Sequence, residues 1–467
     1  MNTSMAKTLR LLALATLIVG PALAADSPAT STAPVSTSSG GAGGAPSVTL
    51  PPGFDLGTPL TLVDCARLAL ALNPSFAVAG QQIVQANASA TQARAALLPN
   101  LSLGADLAAS QNLRGTGTTT TGTTSTTSRN TTRDLSLQLN QTFFQSGVPQ
   151  QIAAARASAR AAQWGFNDAR RTLLLDVAQS YYSALAAVSL AEVAHRAVTA
   201  STLHLDAANA RIEAGTAAKS DRYPFEVELQ QALIQAISAE NQITLSFNAL
   251  KQVMGLPATT PLKLADSLGQ PPAPDRLEDL RAQALDKRPD VAQRRAQVEA
   301  ARQSARAAQI RRGPVITASG SDNYGLHTEV DGNTWQVGIS VALPIFDAGS
   351  TRAAADSANA GWAIAQEGLR QTELAAATDV ENSFATAQQA NKQIDVAQAA
   401  ATAAQVALQA AEERYTAGVG TVIDVTDAEL KLQQALADQV QALYSYNTAL
   451  AALRASVGEA AVESLEP

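Results

Sequence analysis

The 467-residue sequence is poor in the side chains that carry most redox and catalytic chemistry: it has one cysteine, three histidines and three methionines. A single thiol excludes an intrachain disulfide. Cys65 lies in a helical stretch from Leu62 to Leu72 and reads as a small buried side chain with no redox role. His195, His204 and His327 form no pair at ligand spacing, and no hydrolase elbow accompanies them. The expectation is therefore no enzyme, no metal and no cofactor, with His195 and His204 as ordinary surface or interface residues. Two of the methionines, Met1 and Met5, belong to the start of the chain, which counts against a copper carrier. Aromatics make up only 4% of a chain that is 46% hydrophobic, because alanine supplies much of the apolar count. Such a mixture suits long, closely packed helices better than a thick globular core. The net charge of −7 is modest, and no basic tract is interleaved with aromatics, so nucleic acid is not an expected partner.

Long hydrophobic runs are also scarce. Leu11 to Val19 follows Lys7 and Arg10 and precedes Ala22-Leu23-Ala24, the pattern of a secretory leader over residues 1–24. The run is shorter than the roughly 18 to 20 residues a spanning helix needs. Residue 25 is alanine, so a lipid-bearing cysteine is not indicated there. No later uncharged stretch reads as a transmembrane helix. The exported chain is then either soluble or crosses a membrane as β-strands. Residues 25–58, rich in Ser, Thr, Gly, Ala and Pro, are expected to be a disordered lead-in.

What is present is a repeat. Asn73-Pro74 opens a helical stretch that ends at Pro99, and Arg288-Pro289 opens another that ends at Pro314; one constant offset relates both pairs of prolines. A second, slightly smaller offset relates Arg211, Gly215, Asp221 and Glu226 to Arg414, Gly418, Asp424 and Glu429. It also relates Leu229-Gln-Gln-Ala-Leu to Leu432-Gln-Gln-Ala-Leu. The difference places a short insertion in the first copy, in the Thr/Gly/Ser run from Gly115 to Thr132, where a loop tip tolerates it. The expected division is a first helix–strand–strand–helix repeat over 59–257 and a connecting segment over 258–287. A second repeat over 288–458 and a tail over 459–467 complete it.

Each repeat carries two candidate strands. Leu101, Leu103, Ala105 and Leu107 alternate with polar or small residues, as do Leu135, Leu137 and Leu139, and Trp335, Val337, Ile339, Val341 and Leu343. Val315 to Tyr324 alternates poorly. Segments of about ten residues match a barrel strand crossing a bilayer. Long helices follow: beyond Pro149, the stretch from Val148 to about Ala214 has no proline and only Gly165, and Ser350 to Ala417 has no proline. Ile152, Ala155, Ala159, Ala162, Phe166, Ala169 and Leu173 form a coiled-coil seam of mostly small residues. About 67 helical residues extend on the order of 100 Å, the dimension of a strut. Four strands cannot close a membrane barrel, since the smallest have about eight, and open edges in lipid are costly. Other chains must therefore complete the barrel. Ser102, Asp106, Ser136, Gln138, Asn140, Gln336 and Ser340 would then line a wet lumen.

At this point the sequence resembles a family. Arg414-Tyr-Thr-Ala-Gly-Val-Gly-Thr-Val-Ile-Asp-Val-Thr-Asp-Ala-Glu-Leu is similar to the hallmark stretch of the TolC-type outer-membrane efflux proteins. Val341-Ala-Leu-Pro-Ile-Phe-Asp-Ala-Gly, Arg288-Pro-Asp-Val and Ala95-Ala-Leu-Leu-Pro-Asn-Leu-Ser-Leu also resemble it, in the family's order, over roughly residues 60–460. The resemblance implies a homotrimer, mostly α with membrane β: a twelve-stranded barrel in the outer membrane, continued by an α-helical barrel across the periplasm. It further implies a passive exit duct for an inner-membrane pump, joined through a periplasmic adaptor, in drug or small-molecule efflux or in type I secretion. The alternative class is a periplasmic adaptor or a coiled-coil stalk. An adaptor would show one helical hairpin between β-rich halves, and a stalk needs no alternating strands.

The turns between long helices carry the candidate site. Gly215 and Gly418 suit a left-handed helix end, Thr421-x-x-Asp424 matches a capping box, and Asp427 lies one turn further on the same face. Both aspartates could serve only the positive helix terminus. By resemblance, Asp424 and Asp427 instead match aspartates that form acidic rings at the periplasmic entrance and favour cations. Tyr415 and Asp221 match positions whose phenol-to-carboxylate link holds that entrance shut. Gly420 stands where the family's well-known members have an arginine, leaving Arg211 and Arg414 as nearby substitutes. Pro224 stands in the first repeat where Asp427 stands in the second. Gly215 to Ala218, including Thr216, and Gly418, Val419, Gly420 and Thr421 are the expected docking turns for adaptor tips.

Overall fold

A computed structural model describes residues 58–113, 127–272, 276–325 and 332–462. The expected leader, nearly all of the lead-in and His327 lie outside the described residues, as does the core of the first strand loop. The first half runs α1 (Leu62–Leu72), α2 (Pro74–Ala95), β1 (Asn100–Leu113), β2 (Thr127–Gln145), α3 (Val148–Glu213), a single 3-10 turn (Lys219–Asp221) and α4 (Arg222–Met254). The second runs α5 (Leu277–Lys287), α6 (Pro289–Gln309), β3 (Val315–Gly325), β4 (Gly332–Ala342), α7 (Ser350–Thr416) and α8 (Val422–Val457). α5 precedes α6 as α1 precedes α2, so a short helix lies just ahead of the second-repeat start expected at Arg288. The sequence hid α5 because it offers only Leu280 and Ala284 as buried positions.

Local chemistry sets the starts. Thr61 and Asp64 close a capping box on α1, and Asn73 caps α2 by accepting from the Phe76 N–H at 3.0 Å. Pro74 and Pro289 open α2 and α6, where a missing N–H costs nothing. Gly147, with φ 92°, turns β2 into α3; a Cβ there would sit 2.8 Å from the Ala307 carbonyl oxygen, so only glycine lets the two halves approach.

The long helices are struts with different neighbours along their length. Over its first part α3 lies between α2 and α6, with the Phe76 and Phe166 rings tilted against each other at 4.6 Å and Gly165 against Gln293, well away from the sheet. Further on it pairs with α4, as α7 pairs first with α6 and then with α8. Burial on α3 is consequently wider than the single seam expected. Ala154, Ala157 and Ala161 are buried along with Ala159 and Leu173, while Ile152, Ala155, Ala162, Phe166 and Ala169 are half-buried. Two flanking helices require two small-residue stripes, not one.

The thickest packing forms a belt halfway along the struts, where α1 and α5 lie against α3 and α7. Tyr181 and Tyr446 are fully buried there; the Tyr181 hydroxyl lies 2.6 Å from Asp266, and that of Tyr446 lies 2.9 Å from the Pro272 carbonyl. Cys65 is also fully buried in the belt, and burial, with Asp64 and Asp266 nearby, pushes its thiol up to about 12. By length and composition alone, α3 contains one stretch apolar enough to cross a membrane, but half of it is buried inside the fold. It is apolar because it forms core.

The four strands form one antiparallel sheet in the order β1-β2-β3-β4. Its register sorts the side chains by face. One face carries the rows Leu101–Leu139–Gly320–Val337 and Leu103–Leu137–Asp322–Trp335; the other carries Ser102–Gln138–Ser321–Gln336 and Gly104–Ser136–Asn323–Thr334. Thr317 and Ser340 hydrogen-bond across the polar face at 2.7 Å. Gly320 and Asp322 on the apolar face explain why β3 alternates poorly. Among the described residues nothing covers this face: Leu103 and Val337 are 70% and 71% exposed.

Arg288, 5% exposed, pins the start of α6 to α7 and α8 through Asp290 at 2.7 Å, Asp379 at 3.1 Å and the Ser456 carbonyl at 3.3 Å. Arg288→Ala strands the Asp290 carboxylate beneath these helices and should cost about 3 kcal/mol, read as a lower urea midpoint. Cys65 should resist maleimide at mildly alkaline pH in the folded protein and react at once after unfolding, because both burial and its raised pKa suppress the thiolate.

Candidate functional site

The two turns that join the long helices to their partners lie at the end of the struts away from the sheet. Each helix ends on a left-handed glycine: Gly215 at φ 74° and Gly418 at φ 77°. The Thr216 N–H reaches the Arg211 carbonyl at 2.9 Å and the Val419 N–H reaches the Arg414 carbonyl at 3.0 Å, which satisfies carbonyls the helices leave open. A Cβ at either glycine would meet nothing, so only the sign of φ selects them. Thr216, Gly418, Val419 and Thr421 are exposed, Val419 by 73%.

Beyond these glycines the turns diverge. Thr421 and Asp424 form a complete capping box: the Thr421 N–H and hydroxyl donate to Asp424 at 2.8 and 2.9 Å, and the Asp424 N–H donates back at 3.2 Å. These bonds hold the Asp424 carboxyl below its ordinary range, so it is ionised at neutral pH. Asp427 is exposed and has no hydrogen bond or ion pair among the described residues. The other turn passes through the 3-10 segment, and Asp221 makes no cap; it accepts only from the Ser220 hydroxyl at 3.3 Å. Pro224 and Asp427, at equivalent repeat positions, line one groove of about 430 Å³ between α4 and α8, with Tyr223, Val227 and Leu430.

Behind the turns, Ala208, Phe225, Leu408, Ala411, Val422, Val425, Ala428 and Leu432 close an apolar cluster against which Tyr415 packs. Arg211 spans the two hairpins: it donates to the Tyr415 carbonyl at 3.2 Å and the Thr416 carbonyl at 2.9 Å, with its guanidinium 4.7 Å from the Tyr415 ring centroid. The expected Tyr415–Asp221 bond is not made within the chain. The Tyr415 hydroxyl is enclosed and unpartnered, because its ring is held between Arg211 and Phe225. Arg414 is exposed and acts on Asp424 only through its charge.

One group escaped the sequence reading. His204 is 15% exposed, its Nε2 3.2 Å from Glu412 and its Nδ1 3.4 Å from Glu228, while Glu429 is 4% exposed beside them. His195, 54% exposed and 3.3 Å from Glu240, is the surface residue expected. The overlooked signal was periodic: Ser201, His204 and Ala208 share one helix face with Arg211, and Glu429 falls among the buried Val425, Ala428 and Leu432.

At Gly420 a Cβ would lie 2.9 Å from the Tyr415 nitrogen and 3.1 Å from the Arg414 backbone. The turn is folded onto its own helix end, and an arginine does not fit that path. Gly420→Arg should therefore disturb the turn instead of adding a link, seen as faster proteolytic cleavage between Thr416 and Val422 than in the parent protein.

The chain matches the family model described as outer membrane efflux protein over residues 65–256 and 280–459. It is 25% identical over 372 residues to outer membrane protein TolC of Escherichia coli (strain K12), covering 76% of this chain and 73% of that protein. It is 26% identical over 415 residues to the alkaline protease secretion protein AprF of Pseudomonas aeruginosa, covering 85% and 84%. The Campylobacter jejuni CmeC outer membrane channel superposes with a TM-score of 0.74 at 18% identity, over 87% of each chain. With the family model matching most of both halves of the chain, and a two-faced sheet and long helical hairpins in place, this chain belongs to the outer membrane efflux protein family.

Proposed function

We propose that three copies of this chain close a twelve-stranded barrel in the outer membrane and extend from it a helical tunnel through the periplasm. The assembly is the passive exit duct of a tripartite efflux or type I secretion system. The observation that carries this reading is the sheet. Its apolar face is uncovered from Leu101 to Val337, its polar face runs from Ser102 to Gln336, and both edges, β1 and β4, are open. Lipid outside, water inside and neighbouring copies at the edges satisfy all three features at once. A coiled-coil stalk or periplasmic adaptor has no use for that exposed apolar face. Relatives named for pyoverdine export and for alkaline protease secretion support an export role. An inner-membrane pump and a periplasmic adaptor are the partners this role requires, with the exposed turns at Thr216 and Val419 as docking points.

Asp424 and Asp427 supply the charge at the constricted end. Asp424 is occupied in its cap, whereas Asp427 is free, so Asp427 contributes the more available negative charge to a three-fold ring. Purified protein should run as a heat-sensitive trimer and form cation-preferring pores in planar bilayers. Asp427→Asn should reduce the cation preference more than Asp424→Asn, which should mainly weaken the turn. Failure to form pores would reject the duct. Unchanged ion preference in the double variant would reject the acidic ring while leaving the duct standing.

A further inference from the structure

His204, Glu228, Glu412 and Glu429 come one each from α3, α4, α7 and α8, so the group sits where both hairpins of the chain meet, close above the turns. The Ser201 hydroxyl donates to Glu228 at 2.9 Å and Gln433 donates to Glu429 at 3.3 Å; among the described residues these are the other groups hydrogen-bonded to the cluster's buried carboxylates. The second oxygens of Glu228 and Glu429 are enclosed and unpartnered. Three carboxylates against one imidazole leave excess negative charge in a poorly solvated place, which protons relieve. The Nε2 atom of His204 hydrogen-bonds Glu412 at 3.2 Å, while Nδ1 lies 3.4 Å from Glu228, within ion-pair range but without hydrogen-bond geometry; carboxylates on both sides of the ring favour its protonated form.

We propose that these four residues form a proton-binding clasp that ties the α3–α4 hairpin to the α7–α8 hairpin and tightens the periplasmic end of the channel when protonated. The clasp touches the turns through a row of rings: His204 lies 5.7 Å from Phe225, Phe225 lies 6.0 Å from Tyr415, and Tyr415 carries the Arg211 guanidinium. Loosening the hairpins at His204 therefore shifts the side chain that binds the two turns together.

The sign follows from the partners. The contact with Glu228, opposed by burial and aided by Glu412, raises the His204 pKa above its ordinary value. Burial raises the Glu429 carboxyl above the carboxylate range. Both groups thus hold protons more firmly in the clasped state. The His204 contribution is complete below the ordinary histidine value and is lost as pH rises through its raised value, whereas that of Glu429 is complete only below the ordinary carboxylate value and is lost through its own raised one. Alkaline conditions open the clasp and acid closes it, in a window separate from that of the exposed entrance aspartate Asp424.

The inference rests on the channel reading for its consequence but not for its chemistry, and the test separates the two. Histidine-labelled trimer in detergent micelles is titrated by NMR from about pH 5.5 to 8.5, the range around the ordinary histidine value. The resonance missing in His204→Gln should titrate above that value. In bilayers, wild-type open probability should rise with pH by up to about ten-fold per unit for one linked proton. His204→Gln should remain in the high-pH state throughout. Glu412→Gln removes a half-exposed partner and should move the midpoint down in both measurements, which keeps the test valid if the histidine variant fails to assemble. A His204 resonance that titrates at or below the ordinary value, a pH step that survives in His204→Gln, or a midpoint unmoved in Glu412→Gln would overturn the clasp. Pores absent at every pH beside a raised His204 titration would reject the channel reading and leave the proton site in place.

Discussion

The structure depends on one constraint: backbone groups in lipid must be paired. Among the described residues the sheet pairs β1 with β2, β2 with β3 and β3 with β4, then stops, leaving one unpaired edge on β1 and one on β4. In hydrocarbon each lost hydrogen bond costs several kcal/mol, so a lone sheet of four strands is not a stable membrane element. Closure by copies of the same chain removes both edges and forces the helices below into the same rotational symmetry. The tunnel is thus a consequence of the barrel, because any helix that continues β2 or β4 must follow the circle the strands define. Gly147 and Gly349, at φ 92° and 87°, make that continuation at equivalent points of the two repeats.

A tube wall one helix thick cannot use a conventional core. Each helix must touch neighbours on both sides while its remaining faces meet water, which favours narrow stripes of alanine over clusters of large residues. The buried positions of α7 show it: Ala376, Ala387, Ala390, Ala401 and Ala411, with Val380, Ile394 and Leu408 as the larger members. Large side chains are confined to places where three or more helices converge. Tyr181 and Tyr446 mark the belt, and Phe225 marks the turn end. The low aromatic content noted at the outset follows from this thinness.

Much of this was legible in the sequence because repetition and punctuation survive drift. Helix ends were readable at Gly215 and Gly418, where only the sign of φ matters, and at Thr421, where the cap is a local hydrogen bond. The faces of β1, β2 and β4 were readable from alternation. Three features were not. Helix α5 has too few apolar residues to show a period; β3 carries Gly320 and Asp322 on its apolar side; and the acidic surroundings of His204 come from helices distant in sequence. The Tyr415–Asp221 link was expected on family positions alone, and the chain's own packing decided against it within one copy, since Phe225 and Arg211 hold the ring first. Local signals identify elements, whereas which polar groups meet is settled only when the hairpins are laid side by side.

The two repeats match at the turns yet differ at the start of the helix that follows each one, and physical chemistry explains why they can. The first turn after a helix needs a left-handed residue, so Gly215 and Gly418 are both retained. The start of the next helix has alternative solutions. The second repeat uses the Thr421–Asp424 box and then presents Asp427; the first uses a 3-10 turn and then Pro224, whose missing N–H falls where a helix leaves its donors open. Pro224 and Asp427 nevertheless border the same groove, so each subunit brings one charged and one uncharged copy of that position to the same place. In the trimer proposed above, three free carboxylates would meet at this level instead of six. That halved charge matters, because six unpaired carboxylates around a narrow opening would repel one another and resist closure. On the proposed reading, divergence of the repeats would let the entrance favour cations and still shut.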